Sequence, residues 1–188
     1  VAAPDTGANM EDVRMTTGLR TFNVLFLCAD NAARSILAEA LLNRLGAGRF
    51  QAFSAGYGVA EVVDPYAVAL MEKINYNSER VHAKQMMAVM DEKDPGFDFI
   101  IRLSPDRRGS ARMPQFKGAP VVTDWHMPDP ADVSGASSGT IAIAYADIFN
   151  HLAARIDALA NLSEDCLTGP HIQARLDRMG EDGVRFAA

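Results

Sequence analysis

Cys28 and Arg34 stand at the two ends of the window Cys28-Ala29-Asp30-Asn31-Ala32-Ala33-Arg34. A thiol and a guanidinium at this spacing suit a nucleophile and an anion clamp that share one tight turn. The turn lies between an apolar run, Asn23-Val24-Leu25-Phe26-Leu27, and a helix-like run, Ser35-Ile36-Leu37-Ala38-Glu39-Ala40-Leu41-Leu42. A strand that ends in such a turn and feeds a helix aims several backbone N–H groups, and the positive end of the helix dipole, at one small volume. That volume suits a tetrahedral oxyanion. The same field favours the thiolate form of a thiol placed inside it, the form that acts as a nucleophile. The bland alternative is that Cys28 is a small buried hydrophobe and Arg34 a surface helix residue.

The elements that must hold this window follow from periodicity. Phe22–Leu27 is a short, nearly continuous apolar run with β-branched and aromatic members, as in a strand buried on both faces of a parallel sheet. From Ser35 to Leu45 the apolar residues recur at helical spacing, and Gly46 is suited to end the helix. Phe50–Ser54 reads as a second strand, closed by Ala55-Gly56. Asp64-Pro65 opens a helix running to about Ile74, with Asp64 as cap and Pro65 in the first turn. His82 to Met90 reads as a short helix in which Met86, Met87 and Met90 pack. Phe97–Leu103 and Ala119–Asp124 complete four strands. Ile141, Tyr145, Ile148, Leu152, Ile156 and Leu159 predict one long helix from about Thr140 to Leu159. Strands separated by crossover segments predict a parallel α/β sheet, whose ligands bind beyond the carboxyl ends of the strands, where Cys28 lies.

Composition sets the limits. The 188 residues are 48% hydrophobic and 22% charged, an ordinary single-core domain. Residues 1–20 lack periodicity and read as a flexible leader, 21–162 as the domain, and 163–188 as a tail in which Ile172, Leu176 and Met179 predict one short helix. A net charge of −6 argues against a nucleic-acid surface. The basic group Arg102, Arg107, Arg108, Arg112 and Lys117 reads as a solvated face. No run approaches the roughly 20 apolar residues that span a bilayer, so no membrane partner is expected. Two distant cysteines form no disulfide framework and no metal spacing, which suits a reducing cytoplasm. His82, His151 and His171 stand alone in sequence.

Val24 to Ser35, followed by Ala38-Glu39-Ala40, resembles the phosphate-binding loop and first helix of the low-molecular-weight protein tyrosine phosphatases. Ser54-Ala55-Gly56 resembles that family's second-strand motif. Trp125-His126-Met127-Pro128-Asp129-Pro130 resembles its general-acid loop, especially in the arsenate reductases of the same fold. The matches occur in the family's order over about Asn23 to Leu162. The resemblance implies a three-layer α/β fold with a four-stranded parallel sheet, order 2-1-3-4, and helices on both faces.

It also implies roles. Cys28 attacks phosphorus or arsenic, Arg34 clamps two equatorial oxygens, and the loop amides of Ala29, Asp30, Asn31, Ala32 and Ala33 cradle them with Arg34's own N–H. Ser35 donates to the sulfur, with a helix cap as its plainer role. Asn31 takes a left-handed conformation braced by the Ser54 hydroxyl, and Asp129 is the general acid and then the base that activates water. Of the three Asp-Pro pairs, Asp64-Pro65 opens a helix and Asp94-Pro95 marks a turn, which leaves Asp129-Pro130 on the catalytic edge. Trp125 and His126 read as residues that shape the rim.

The chain also departs from the family pattern. Asp30 replaces a common glycine, and Ala33 replaces a second loop cysteine. Ala131-Asp132 replaces the aromatic pair that follows the acid in tyrosine phosphatases. Ser104 and Ala111 stand where thioredoxin-coupled arsenate reductases carry relay cysteines, and Cys166 lies in the tail. The expected function is a cysteine-dependent phosphomonoesterase, acting on phosphotyrosine through a phosphocysteine, with no cofactor. The alternative is an arsenate reductase completed by an external thiol such as glutathione or mycothiol. A non-catalytic protein that binds an oxyanion or a partner is the third reading. The substrate side is a phosphorylated molecule or a small oxyanion, and the sequence is silent on oligomeric state.

Overall fold

The computed structural model describes residues 20–93, 95–105, 114–133 and 135–181. The leader 1–19, Asp94, the positions of Arg107, Arg108, Ala111 and Arg112, and the last seven residues of the tail lie outside the described residues. Four strands, β1 Phe22–Cys28, β2 Phe50–Gly56, β3 Phe99–Arg102 and β4 Val121–Asp124, form one parallel sheet in the order β2-β1-β3-β4. β1 is central, with Cys28 in register with Gly56. Its apolar run has the composition of a strand covered on both sides, and the covering is observed. Val24, Phe26 and Cys28 face a core shared with Ile36, Leu37, Leu41, Ile148, Leu152 and Ile156, while Leu25 and Leu27 face Met86, Val89, Phe97 and Ile100.

The helices α1 Arg34–Leu45, α2 Pro65–Lys73 and α4 Ser138–Ala160 contribute to the first layer, and α3 Met86–Lys93 lies on the opposite face. α2 begins as its sequence dictates: Asp64 accepts a hydrogen bond from the Tyr66 N–H at 2.8 Å and Pro65 occupies the first turn. α4 begins at Ser137, which caps Thr140. α3 starts only at Met86, because Gly56 pairs with Lys84 and Gln85 and holds that segment extended. Met86 is buried, Met90 is partly buried against the same core, and Met87, expected to pack, is exposed. No helix among the described residues is long and apolar enough to cross a membrane.

The tail holds two helices rather than one, α5 Glu164–Thr168 and α6 Ile172–Glu181. α6 lies along β4 with Ile172, Leu176 and Gly180 inward. A Cβ at Gly180 would come within 2.1 Å of the Asp124 carbonyl oxygen, so only glycine lets the helix approach this closely.

Candidate functional site

β1 delivers Cys28, fully buried, to its carboxyl end, and after five intervening residues the chain enters α1 at Arg34. The intervening loop is held from outside by its carbonyls. The N–H groups of Tyr57, Gly58, Ala60 and Asp64 donate to the carbonyl oxygens of Cys28, Ala29, Asp30 and Ala32 at 2.7–3.0 Å. In a trans peptide the N–H points opposite to the C=O. The N–H groups of residues 29, 30, 31 and 33 therefore point away from that outer segment, into the loop's interior, as an oxyanion cradle requires. The N–H of Ala32 is engaged by the Asp30 side chain, Oδ1 at 3.2 Å, and Asp30 itself is exposed. Gly56 lies behind the loop. A Cβ there would meet Gly58 O at 2.3 Å and Asn31 N at 2.7 Å, so the outer segment and the loop close over a bare Cα.

A directed hydrogen-bond chain ends on the sulfur. Asn31 has φ of 56°, and its Oδ1 accepts from the Lys84 N–H at 2.7 Å. That bond fixes which end of the amide is oxygen, so Nδ2 donates to Ser35 Oγ at 2.8 Å. Ser35 Oγ thus accepts from Asn31 and is free to turn its own proton to Cys28 Sγ, 2.9 Å away. Ser35 is not the helix cap. The cap position is Ala33, without a side-chain bond, and Ser35 lies inside the first turn, aimed at the sulfur. Ser54 does not brace Asn31 as expected. Its buried hydroxyl donates to the Glu39 carboxylate, which also takes Lys84 Nζ at 3.4 Å. Lys84, which the sequence reading passed over, supplies the brace through its main chain.

Arg34 reaches from the first turn of α1 to the segment after β4. Its Nη2 donates to Asp129 Oδ2 at 2.8 Å and its Nη1 to the Met127 carbonyl at 3.4 Å. The pair is sheltered, with side-chain exposures of 5% and 17%. The other carboxylate oxygen of Asp129 accepts from Ala131 N–H at 3.1 Å, at the start of the 3-10 turn Pro130–Val133. Asp129, far from Arg34 in sequence, thus joins it at the carboxyl edge of the sheet, where β1 ends at Cys28. The Asp129 carboxylate occupies one edge of the Arg34 guanidinium.

Tyr145 is the residue that sequence reasoning missed, since its place in an apolar stripe marked it as packing. It is buried, stacks on Tyr66 with ring centres 5.2 Å apart, and hydrogen-bonds Asp64. Burial first, then the bond to Asp64 and the charges of Asp64, Asp129 and Asp30, push its phenol well above the ordinary range. The Tyr145 phenol is therefore held in its protonated form. A phenol amid otherwise aliphatic positions was the available signal.

Other expected residues are placed elsewhere. Trp125 does not shape the rim. It is fully buried and its indole N–H donates to the Leu176 carbonyl at 2.9 Å, because the segment continues the alternation of β4 and Trp125 falls on the inward phase. His126, on the outward phase, is exposed, 3.8 Å from Asp124. Arg102 makes a two-pronged pair with Asp124 at 2.6 Å, which raises its pKa further. Cys166 is on α5, whose Leu167 and Thr168 line a cavity of about 480 Å³ together with Phe22, Phe99 and Val121, the first residues of three strands. It is thus at the edge opposite Cys28, about 20 Å away along a seven-residue strand. Ser104 is buried, and its hydroxyl has no partner among the described residues. Among the described residues no group of three or more His, Cys, Asp or Glu is placed to hold a metal ion.

Known proteins share this fold. The family model for low molecular weight phosphotyrosine protein phosphatase matches residues 23–167. A glutaredoxin arsenate reductase of Synechocystis is 27% identical over 107 residues, 57% of this chain and 77% of that protein. The structure of an arsenate reductase from Archaeoglobus fulgidus superimposes with TM-score 0.55 at 28% identity, covering 74% of this chain and 99% of the other. An arsenate reductase in a phosphate-binding state shares the fold, with TM-score 0.59 at 22% identity over 74% of this chain and 97% of its own.

Proposed function

The chain belongs to the low molecular weight phosphotyrosine protein phosphatase family, and from that premise we propose that it reduces arsenate with electrons from an external thiol. The observation that carries this choice is the segment that follows Asp129. After Asp129 the 3-10 turn presents exposed Ala131 and Asp132, which offer no ring to seat an aryl leaving group, and exposed Asp30 adds negative charge. A small oxyanion that fits wholly inside the loop needs neither. The similarity to arsenate reductases from Synechocystis and Archaeoglobus fulgidus supports the same reading.

In this reading the Cys28 thiolate attacks arsenic, the S–As bond forms, and one oxygen leaves as water with a proton from Asp129. Arg34 and the loop amides hold the remaining oxygens. A thiolate of the glutathione or mycothiol class then attacks the Cys28 sulfur. The S–As bond breaks with its electron pair passing to arsenic, which leaves as arsenite, reduced from As(V) to As(III). A second thiol attacks the resulting mixed disulfide and restores Cys28, so two thiols become one disulfide. The donor is external because Ser104 holds the place of a relay thiol and Cys166 is at the opposite edge. A reducing cytoplasm would supply it.

The position of Asp129 against Arg34 also favours a second reading, hydrolysis of phosphomonoesters through a phosphocysteine. Arsenate-dependent oxidation of glutathione and of mycothiol, run beside hydrolysis of an aryl phosphate, tests both. Arsenite formation that Cys28→Ser abolishes is expected. Ester hydrolysis with no arsenite from any thiol donor would overturn reduction in favour of the phosphatase.

A further inference from the structure

We infer that α6, outside the span of the family match, is the seat that backs the inward side chains of the acid segment, with Arg155 as the positioning residue that ties it to Asp129. The claim rests on Asp129 acting as the acid in the reading above.

From Val121 onward the chain stays extended past the end of β4, and its burial alternates. Thr123, Trp125 and Met127 are inward while Asp124, His126 and Pro128 are outward. Asp129 is next on the inward phase, which is how it arrives at Arg34. In an extended segment a slip of one residue would send every side chain to the other face. Main-chain bonds to the β3 segment continue past Asp124, from Trp125 N–H to Arg102 O at 2.8 Å and from Met127 N–H to Leu103 O at 2.9 Å, so the step from Met127 to Asp129 depends on how firmly the inward side chains before it are seated.

Each inward residue has an anchor on α6. Thr123 Oγ1 donates to Asp177 Oδ1 at 2.7 Å, and the Trp125 indole donates to the Leu176 carbonyl at 2.9 Å. Met127 is reached through Arg155, which projects from α4. Its Nη1 lies 3.3 Å from Met127 Sδ, while Nε and Nη2 donate to the carbonyls of Met179 and Gly180 at 2.9 and 3.0 Å. Arg155 is only 7% exposed. Its charge lies at the negative end of the α6 dipole, where a cation is favoured. One guanidinium thus joins the C-terminal end of α6 to the residue whose carbonyl meets Arg34. The Gly180 contact on Asp124 and Trp125 completes the seat.

The test compares phenyl phosphate, whose poor leaving group needs the acid, with p-nitrophenyl phosphate, whose good one needs it less. Arg155→Met should cut the phenyl ester rate on the order of tenfold to a hundredfold, with a clearly smaller loss on the nitrophenyl ester. Arg155→Lys should recover part of it. In an Asp129→Ala background Arg155→Met should add nothing. Equal loss on both esters, or full loss added on Asp129→Ala, would show a merely structural role and overturn the inference. If Arg155→Met does not fold, Thr123→Val, which removes only the Asp177 bond, should give a smaller split in the same direction, and no split overturns the claim. If wild type hydrolyses neither ester, the carboxyl carbon signal of Asp129, assigned by its loss in Asp129→Asn, reads position directly. A shift in Arg155→Met or Thr123→Val supports the seat, and an unmoved signal overturns it.

Discussion

Gly56→Ala tests the cradle without touching any group that reacts. A methyl at this position would be 2.3 Å from the Gly58 carbonyl oxygen and 2.7 Å from both Asn31 N and the Asp30 carbonyl carbon. All three are main-chain atoms, so no side-chain rotation relieves the overlap. Restoring ordinary contact means parting the outer segment from the loop by about 1 Å. That movement works against the 2.7 Å bond from Gly58 N–H to Ala29 O, the clamp that turns the loop amides inward. Overpacking of this kind costs about 1–3 kcal/mol, which for a chain of this size lowers Tm by about 2–12 °C. The variant should still fold. A 1 Å displacement of binding groups costs on the order of a hundredfold in turnover, so activity should fall far more than stability. Phosphate or arsenate protection of Cys28 against iodoacetamide gives oxyanion affinity, and calorimetry gives Tm. A folded Gly56→Ala protein that binds the oxyanion as tightly as wild type would refute the argument that outward-held carbonyls make the cradle.

Further outcomes are expected at the site. Cys28→Ser should abolish arsenate reduction and ester hydrolysis while leaving oxyanion binding and Tm within a few degrees of wild type, measured by calorimetry with and without phosphate. Asp129→Asn should harm hydrolysis more than reduction, and equal losses in parallel assays would contradict that division of labour. Ser35→Ala removes the bond to the sulfur. A hydrogen bond to a charged group is worth about 1.5–3 kcal/mol, so alkylation of Cys28 and turnover should change by roughly tenfold or more. For Tyr145 the sign is set by its raised phenol pKa. The folded protein keeps a proton that the unfolded chain gives up above its ordinary value of 10.0, so stability is full below that pH and declines as pH rises through it. Denaturant titrations of Tyr145→Phe above pH 10 should lack this decline, whereas below it the variant should differ only by the lost bond to Asp64.

The central strand, the nucleophile loop and the long helix α4 were legible because each depends on local pattern: an apolar run, a Cys and Arg spacing, and a period of three and four. The sheet order was available only through the resemblance, since parallel pairing joins segments far apart in sequence. What escaped the sequence was partner choice. Ser54 was assigned to Asn31, but Glu39, one layer away on α1, takes its hydroxyl, and a main-chain N–H at Lys84 fills the vacated place. Trp125 was read from its neighbours as rim, yet the phase of an extended segment put it in the core. The tail was opaque for a related reason. The inward stripe of α6 includes Gly180, which no hydrophobicity pattern counts, and its meaning emerges only from the distance to Asp124. Tyr145 shows the same limit, where one hydroxyl in an apolar stripe gave a packing residue a shifted phenol.

Cys28 has no second thiol beside it: Ala33 is in the loop and Cys166 is at the far edge of the sheet. A peroxide that reaches Cys28 would make a sulfenic acid with no internal thiol to trap it, and the next oxidation, to sulfinic acid, is irreversible without a dedicated repair enzyme. Survival under oxidative stress then depends on two things. One is the shelter of a fully buried sulfur, and the other is the speed with which a small thiol from solution caps the damaged atom. The donor proposed to complete the reaction is thus also the one that rescues the enzyme, so inactivation should track the depletion of that pool.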